Sequence, residues 1–294
     1  MPLVGTGEIV GAAAAARHGC GAFNAIQLEH ITAIITGASA AAEAPVIVQL
    51  SQNAVKYHGS LAPVGTAALA AAREAAIPVA VHLDHAESAD LVREAVALGF
   101  GSVMFDASKL DYTDNVRATR EVAAYCHDHG VWVEAELGEV GGKDGVHAPG
   151  ARTDPDEAAE FVASTGVDAL AVAVGSSHAM LTRDAALDFD LIARLEERVP
   201  VPLVLHGSSG VPDEGLAEAV RAGMTKINIA TQLNKVFTAA VADDWRAHPE
   251  RVDPRKYLGA GRAAVAVEVR RLLGVLKLDH VEPVKVTIEQ TLRD

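Results

Sequence analysis

Three histidines stand at positions where their side chains could hold a metal ion. His85, His178 and His206 each follow the end of a short apolar run in the sequence. Three neutral imidazoles with an open fourth position are the ligands of a catalytic zinc site. One such histidine is more often structural, but three at corresponding positions favour a metal. His82 shares a face of its strand with Asp84, because side chains alternate along a strand. We expect His82 to help orient the metal ligands without binding the metal itself.

Acidic side chains accompany these histidines. Asp84 directly precedes His85, and a carboxylate beside a metal ligand can carry a proton to or from a bound substrate. Asp84 could instead cap the helix that follows, a role for which Ser88 is an equal candidate. Asp106 and Glu136 interrupt otherwise apolar runs, where an unpaired carboxylate is costly to bury. These two residues therefore need a metal ion or hydrogen-bond partners.

Eight short apolar runs must position this chemistry. They cover residues 21–24, 45–51, 78–84, 102–108, 132–138, 169–175, 202–210 and 226–231. Helical patterns rich in Ala, Leu, Glu and Arg separate most of the runs, and several end at glycine, which is typical of helix C-termini. Eight repeats of strand and helix predict an α/β fold, a (β/α)8 TIM barrel. The alternative, a doubly wound open sheet, would more often show a glycine-rich phosphate turn after the first strand.

The carboxyl ends of the strands form the catalytic rim of such a barrel. Two segments after the last two runs, "LHGSSGVP" (205–212) and "NIAT" (228–231), are small and polar. Barrels often hold a phosphate group at these positions, on backbone N–H groups. Polar residues at the predicted strand ends are Asn24, Gln49, Ser51, Asp84, His85, Asp106, Glu134, Glu136, His178, His206, Asn228 and Thr231.

Composition argues against several other classes of protein. The formal charge is −14 over 294 residues, and without a basic cluster we expect neither nucleic acid nor an anionic membrane as a partner. Cys20 and Cys126 are the only cysteines, so the sequence indicates no disulfide framework and fits a reducing cytoplasm. No apolar run reaches the ~18 residues of a membrane span. The alanine-rich N-terminus is typical of a helix, not of a signal peptide.

Five motifs together carry a family resemblance. They are "HLDH", "VEAELGEVGG", "AVAVGSSHAM", "LVLHGSSG" and "KINIAT". From about "GAFNA" to "DPRKYL", the chain resembles the class II, zinc-dependent ketose-bisphosphate aldolases, and the tagatose-type branch looks nearest. The resemblance implies reversible cleavage of a ketose bisphosphate, of the fructose 1,6- or tagatose 1,6-bisphosphate type. The products would be dihydroxyacetone phosphate and an aldehyde such as glyceraldehyde 3-phosphate.

The same resemblance implies roles for individual residues. His85, His178 and His206 would be the zinc ligands, and Asp84 would be the acid/base at the aldehyde oxygen. Asp106 and Glu136 would hold the metal in an alternative, resting position. A monovalent cation, Na⁺ or K⁺, would bind nearby. The substrate-binding positions would be Asn24, Ser51, Ala179, Gly207, Ser208, Ser209, Asn228, Ile229, Ala230 and Thr231.

The resemblance also implies an oligomer. Arg255 matches an arginine that reaches the second phosphate from a neighbouring subunit, so a homodimer or homotetramer is expected. We expect one barrel domain over residues 1–294. Its C-terminal helices, at about 241–294, would pack on the barrel and on the neighbouring subunit.

Two departures from the family pattern bear on the substrate. Ala179 follows His178 where the family usually has glycine, which predicts a differently shaped phosphate cradle. The loop after the fifth run is shorter than in relatives, which often carry a glutamate there that takes the C3 proton of the substrate. Lys143 and Asp144 occupy this region, so either Asp144 is the base or the base is missing.

Three alternative functions remain open at the level of sequence. A Schiff-base lysine could replace the metal, but Lys226, the only lysine on a predicted strand, opens the eighth strand at the end away from the rim. A metal-dependent sugar-phosphate epimerase or isomerase would use the same barrel without breaking a carbon–carbon bond. A non-catalytic subunit could stabilise an aldolase partner.

Overall fold

Eight parallel strands close into a barrel in which every strand pairs with its neighbours in chain order. The structure is a computed structural model, which describes residues 2–137, 152–177 and 180–278. Because β1 pairs with β8 as well as with β2, the sheet is closed, and the alternative of an open doubly wound sheet is wrong. The strands are β1 Cys20–Asn24, β2 Val46–Ser51, β3 Val79–Ala86, β4 Ser102–Phe105, β5 Trp132–Leu137, β6 Ala169–Val172, β7 Leu203–Leu205 and β8 Met224–Ile229.

Helices surround the barrel and complete the predicted (β/α)8 fold. Glycines end several of them, as expected: Gly99 and Gly166 stand at helix C-termini in the left-handed conformation, with φ of 94° and 72°. In the described ranges, no helix is both long enough and apolar enough to cross a membrane. The helices are α1 Thr6–Ala16, α2 Leu28–Ser39, α3 Gln52–His58, α4 Ala62–Glu74, α5 Ala89–Leu98, α6 Tyr112–Asp128, α7 Pro155–Thr165, α8 Phe189–Arg198, α9 Asp213–Ala222, α10 Thr231–Ala247 and α11 Pro254–Leu276.

The first helix covers the amino-terminal end of the barrel. Ile9 and Val10 of α1 are buried against Cys20 and other residues of the strands. The hydroxyl of Thr6 lies 2.5 Å from that of Ser102, at the start of β4. Apolar burial here excludes water from one end of the barrel. The opposite rim, where the strands end, is the end of the barrel that can receive a substrate.

The last two described helices lie against the barrel and its surrounding helices. Helix α11 lies against α2, α9 and β1, and α10 lies against α11. A side chain at Gly37 of α2 would come within 2.4 Å of the carbonyl oxygen of Ala266, so the two helix backbones can approach only because this residue is glycine. Residues 279–294 lie outside the described part of the chain. The neighbouring subunit and the treatment of residues 1–294 as one domain remain predictions.

Several observed strand boundaries differ from those predicted from the sequence. Strands β4 and β7 are shorter than predicted, because Asp106 and His206 lie beyond the last paired residues. Strand β8 begins earlier, at Met224, so the prediction that Lys226 opens this strand is wrong. Lys226 pairs with Cys20 of β1 and Val204 of β7, and it is completely buried. Lys226 therefore contributes a charge to the middle of the barrel.

Candidate active site

Asp84 and His85 approach each other because β3 is irregular at this point. The pairing of β3 with β4 shifts register between Leu83 and Ala86, and His85 has a φ of 51°. Successive side chains of a regular strand point to opposite faces. Here, Asp84 Oδ1 lies 4.0 Å from His85 Nε2. A non-glycine residue in the left-handed conformation is strained, and such strain occurs mainly at functional sites.

The ring nitrogens of two predicted metal ligands converge. Nε2 of His85 lies 2.9 Å from Nδ1 of His206, and the rings stand edge to face with their centroids 4.6 Å apart. Ligand atoms of Asp84, His85 and His206 all lie within 4.8 Å of one another. Two nitrogens on one tetrahedral zinc ion would be about 3.3 Å apart, given Zn–N distances of about 2.0–2.1 Å. The pair therefore needs to open by only a few tenths of an ångström to hold zinc.

Carboxylates hold the opposite nitrogens of both rings. His85 Nδ1 lies 2.8 Å from Asp106 Oδ2, and His206 Nε2 lies 2.9 Å from Glu134 Oε1. An ionised carboxylate only accepts hydrogen bonds, so these nitrogens carry the imidazole protons. With the protons there, the two nitrogens that face each other are placed to act as ligands of one ion. Metal-ligating histidines have this arrangement, so the residues fit a divalent metal.

A second group of potential ligands adjoins the first. Ligand atoms of His85, Asp106 and Glu136 lie within 4.8 Å of one another, and Glu136 is completely buried. Glu136 Oε2 lies 3.9 Å from His206 Nδ1. Asp106 Oδ1 also accepts hydrogen bonds from the backbone and the hydroxyl of Ser108, at 3.2 and 2.6 Å. The arrangement offers a neighbouring position for a metal, beside the first.

Asp84 is buried with one of its oxygens directed at no donor. Asn24 Nδ2 donates to Oδ2 at 2.7 Å, whereas Oδ1 accepts no hydrogen bond from the described residues. Burial alone would raise the pKa of Asp84, but the electrostatic effects of His85, His206 and Lys226 and the hydrogen bond from Asn24 outweigh it and lower the pKa below its usual value. The group is therefore ionised at neutral pH, with one oxygen available for a proton.

The alternative role of Asp84 as a helix cap is wrong. Strand β3 continues through Asp84 to Ala86, and α5 begins only at Ala89. Ser88 caps this helix, because its hydroxyl accepts a hydrogen bond from Asp90 N at 3.2 Å. The chain therefore leaves the Asp84 carboxylate available to the rim.

Gly207 brings two rim segments into close contact. It has a φ of 66°, and a Cβ atom at this position would lie 2.7 Å from backbone atoms of Ser177. Any larger residue would separate the segment after β6 from the segment after β7. Ser208 Oγ, in the short 3₁₀ turn Ser208–Gly210, donates to the carbonyl oxygen of Asn228. The segments that follow β6, β7 and β8 are thus joined at the rim.

Helix α10 presents its amino terminus to this junction. It begins at Thr231 without a side-chain cap, and Ala230 directly precedes it. Ser209 Oγ accepts a hydrogen bond from Gln232 N at 3.1 Å, while Ile229 is buried in the core. The first N–H groups of a helix and its positive dipole end attract anions. This part of the rim is therefore suited to a phosphate group.

Other predicted site residues are not grouped with the potential metal ligands. Ser51 caps α3, where its hydroxyl accepts a hydrogen bond from Ala54 N at 3.2 Å. The side chain of Arg255 is 88% exposed and forms an ion pair with Asp253 at 2.7 Å. Three further predictions fall on residues that lie outside the described part of the chain: Asp144, His178 and Ala179.

The roles of Glu134 and Lys226 were not anticipated. Glu134 is completely buried, and its two oxygens lie 2.9 Å from His206 Nε2 and 2.8 Å from Lys226 Nζ. Glu134 and Glu136 alternate along β5, so both point to the same face of the strand. That alternation in the sequence could have placed Glu134 beside the metal. The pairing of Glu134 with Lys226 required the register of the closed barrel.

Comparison with known proteins agrees with this geometry. Residues 4–280 match the sequence model of the family described as fructose-bisphosphate aldolase class-II. A protein of Giardia intestinalis named fructose-bisphosphate aldolase is 38% identical over 291 residues, covering 90% of this chain and 90% of that protein. One of the same name from Geobacillus stearothermophilus is 38% identical over 273 residues, covering 92% of this chain and 95% of that protein.

A solved structure gives the same result. The crystal structure of the YdjI aldolase from Escherichia coli K12 is similar to this chain with a TM-score of 0.83 and 31% sequence identity. The similarity covers 95% of this chain and 98% of that chain. With a family match over nearly its whole length, the chain belongs to the class II fructose-bisphosphate aldolases, and it is a carbon–carbon lyase.

Proposed function

We propose that this chain uses one zinc ion per subunit to cleave a ketose bisphosphate reversibly into dihydroxyacetone phosphate and an aldehyde such as glyceraldehyde 3-phosphate. The substrate is of the fructose 1,6- or tagatose 1,6-bisphosphate type. The observation that carries the proposal is the approach of His85 Nε2 to His206 Nδ1 at 2.9 Å, with a carboxylate behind each ring. His178, outside the described residues, supplies the third ligand.

A bound zinc ion supplies a Lewis acid that polarises the substrate carbonyl and stabilises the negative charge developing on its oxygen. The residues of the chain hold and orient it. Asp106 and Glu134 fix the two described imidazole rings by accepting their outward N–H groups. Asp106 and Glu136 also provide, with His85, the neighbouring position for the metal.

Asp84 moves the proton at the aldehyde oxygen. In cleavage, it takes the proton of the C4 hydroxyl; in condensation, it returns that proton to the new alkoxide. Its Oδ1 receives no hydrogen bond from the described residues, while Asn24 holds Oδ2. One oxygen is thus fixed and the other faces the substrate. The lowered pKa keeps the carboxylate ionised before the proton is taken.

The phosphate of dihydroxyacetone phosphate binds where the segments after β7 and β8 meet. The cradle is formed by the backbone and hydroxyls of residues 207–209 and 228–231, namely Gly207, Ser208, Ser209, Asn228, Ile229, Ala230 and Thr231. The uncapped amino terminus of α10 supports this assignment. A monovalent cation, Na⁺ or K⁺, binds nearby. Ala179 shapes the same cradle, and Asn24 and Ser51 border the substrate.

Two further residues complete the proposed site. Asp144 is the candidate base for the C3 proton. Arg255 reaches the distal phosphate of a substrate bound in the neighbouring subunit. On its own chain, its guanidinium is highly exposed and pairs with Asp253. The functional form is then a homodimer or homotetramer, and its substrates place it in the cytoplasm.

The Schiff-base alternative has little support in the structure. Lys226 is completely buried, and three oxygen atoms surround its Nζ within 2.8 Å. An amine that attacks a carbonyl must be neutral and reachable. Membership of the aldolase family also disfavours the epimerase and the non-catalytic subunit.

A panel of ketose bisphosphates tests the function. Triose release would be measured by a coupled assay with purified protein, with and without a chelator and with borohydride. We expect cleavage that the chelator abolishes, that added Zn²⁺ restores and that borohydride leaves unchanged. Borohydride inactivation, or proton exchange without triose release across the whole panel, would contradict the proposal.

A further inference from the structure

Lys226 is a charged side chain in the closed interior of the barrel, with 0% of its surface exposed. Its Nζ donates to Gln49 Oε1 at 2.6 Å and to Asn228 Oδ1 at 2.7 Å. The same nitrogen lies 2.8 Å from Glu134 Oε2, in an ion pair. An ammonium group has three donors and no acceptor. Two of them make these hydrogen bonds, and the Glu134 carboxylate balances the charge. A buried charge needs such partners.

Lys226 and the buried polar side chains linked to it form a network. One branch of this network leads from Lys226 to His206. Glu134 Oε2 faces Lys226, and its other oxygen, Oε1, lies 2.9 Å from His206 Nε2. Because the ion pair fixes one oxygen, the carboxylate plane is set and the second oxygen is aimed at the imidazole. The carboxylate favours the proton of His206 on Nε2, in competition with the amide nitrogen of Asn228, which lies 3.0 Å from the same atom. With the proton on Nε2, the lone pair of Nδ1 is directed toward His85.

The other branch leads from Lys226 to Asp84. Gln49 accepts from Lys226 through Oε1, so its amide nitrogen points away and donates to Asn24 Oδ1 at 3.1 Å. Asn24 in turn donates through Nδ2 to Asp84 Oδ2 at 2.7 Å. A side-chain amide has one accepting end and one donating end. Each amide in the series is therefore oriented by the one before it, beginning at Lys226.

We propose that Lys226 is a positioning residue that sets the orientation of both His206 and Asp84 from a single ammonium group. This inference rests on the proposed function, in which His206 binds the metal and Asp84 moves a proton. Lys226 acts on His206 through Glu134 and Asn228, and on Asp84 through Gln49 and Asn24. It couples the metal-binding half of the site to the proton-transferring half.

Lys226→Met tests the branch to His206 without substrate. Zinc affinity would be measured by chelator competition, and the tautomer of His206 by ¹⁵N NMR of the metal-free protein. We expect the affinity to fall by about 10–100-fold, the usual effect of removing support behind a ligand, and the Nε2–H tautomer to lose its dominance. In a folded variant, unchanged affinity and an unchanged tautomer would overturn the proposal.

Thr165→Val is the matched control for a general loss of stability. Thr165 is also buried, and it donates to the carbonyl oxygen of Phe161 within α7, at 2.7 Å. This variant lowers stability without touching the network, so its zinc affinity and the His206 tautomer should equal those of the parent. Equal losses of zinc affinity in Thr165→Val and Lys226→Met would show a general structural effect and would overturn the proposal.

A second variant covers the case in which Lys226→Met does not fold, since a buried Glu134 without its cation is strongly destabilising. Lys226→Met combined with Glu134→Gln removes both charges together. A neutral amide is a weaker acceptor for an imidazole N–H than a carboxylate. We expect this double variant to fold and to bind Zn²⁺ about 10-fold more weakly than the parent. Parental affinity would overturn the proposal.

Gln49→Leu tests the branch to Asp84 separately. The change disconnects Lys226 from Asn24 and leaves Glu134 in place, so zinc affinity should be unchanged while kcat falls by about 10-fold or more through misplacement of the acid/base. An unaltered kcat would overturn this branch. The proposed function fails on a different result, the retention of zinc by His206→Ala. Zinc binding that requires His206 but not Lys226 would overturn this inference alone.

Discussion

Nε2 of His85 and Nδ1 of His206 face each other across 2.9 Å, while a carboxylate accepts the proton of each ring on its far side. The two facing nitrogens are the proposed metal ligands. Removing either ring would therefore remove a proposed ligand and one hydrogen-bond donor of a buried carboxylate, Asp106 or Glu134.

His206→Ala should lose zinc and activity together. The variant retains His85 and Asp84 but lacks the central ligand, so zinc content by atomic absorption should fall to background, and triose release should disappear. Adding excess Zn²⁺ should not restore the rate at concentrations that saturate the parent. Stoichiometric zinc in the purified variant would show that His206 is not a ligand.

Asp84→Ala should separate zinc binding from proton transfer. The residue is not one of the three proposed histidine ligands, so we expect stoichiometric zinc, bound dihydroxyacetone phosphate and a cleavage rate lowered by ~10²–10⁴-fold. Ser88→Ala is the matched control, because it removes the cap of α5 at a cost of about 1 kcal/mol in stability. The control should keep the parental rate. A rate for Asp84→Ala within a few-fold of the parent's would remove Asp84 from the mechanism.

The sequence was sufficient to predict the barrel, because eight apolar runs separated by helices leave few other arrangements. It also predicted that His85 and His206 would meet, since both follow strand ends. It could not predict the pairing of Lys226 with Glu134. Those residues lie on strands that are not adjacent, and their contact depends on the register that closes the barrel. The left-handed backbone conformation of His85 could not be predicted either, because it depends on a local register shift in β3.

Acid should remove a stabilising cluster on the outside of the barrel. Asp213 accepts from Arg183 at 2.7 Å and is also bound by Arg271. Burial alone would raise the pKa of Asp213, but the hydrogen bonds from Arg183 and Arg271 outweigh it and lower the pKa. The contribution of the Asp213 carboxylate to the free energy of unfolding is therefore fully present above the unfolded-state pKa of about 3.9. It is lost as the pH falls through the lower pKa of the folded state.

Asp213→Asn should reduce the free energy of unfolding by about 1–3 kcal/mol at pH 7, the range for hydrogen bonds to charged groups. The difference from the parent should begin to shrink below about pH 4, where Asp213 of the unfolded parent becomes protonated, and should vanish as the pH falls through the lower pKa of the folded state. Urea denaturation between pH 7 and pH 3 measures both. Asp90→Asn is the control, because that pair with Arg93 is exposed and should contribute less than about 1 kcal/mol. A difference that stays constant with pH would contradict the assignment.

Arg255→Ala should weaken the use of ketose bisphosphates while sparing proton exchange on dihydroxyacetone phosphate, because only the distal phosphate loses its partner. Co-refolded mixtures of Arg255→Ala and Asp84→Ala chains test whether the arginine acts across subunits. In a mixed oligomer, the Asp84→Ala chain supplies an arginine to a site whose Asp84 is intact, so activity should return. If the mixed oligomers form but do not recover activity, then Arg255 acts within its own chain or has no role in the reaction.

Asp144→Asn should abolish the exchange of solvent deuterium into dihydroxyacetone phosphate while leaving the zinc content unchanged. The residue lies outside the described part of the chain, and the prediction rests on its position in the sequence after β5 and on the family resemblance, which implies a proton-accepting carboxylate in this region. A carboxylate can take the C3 proton, whereas an amide of nearly the same size cannot. The exchange is followed by ¹H NMR without an aldehyde, so it reports this proton alone and is independent of Asp84. Exchange at the parental rate would exclude Asp144 and direct the search to another base.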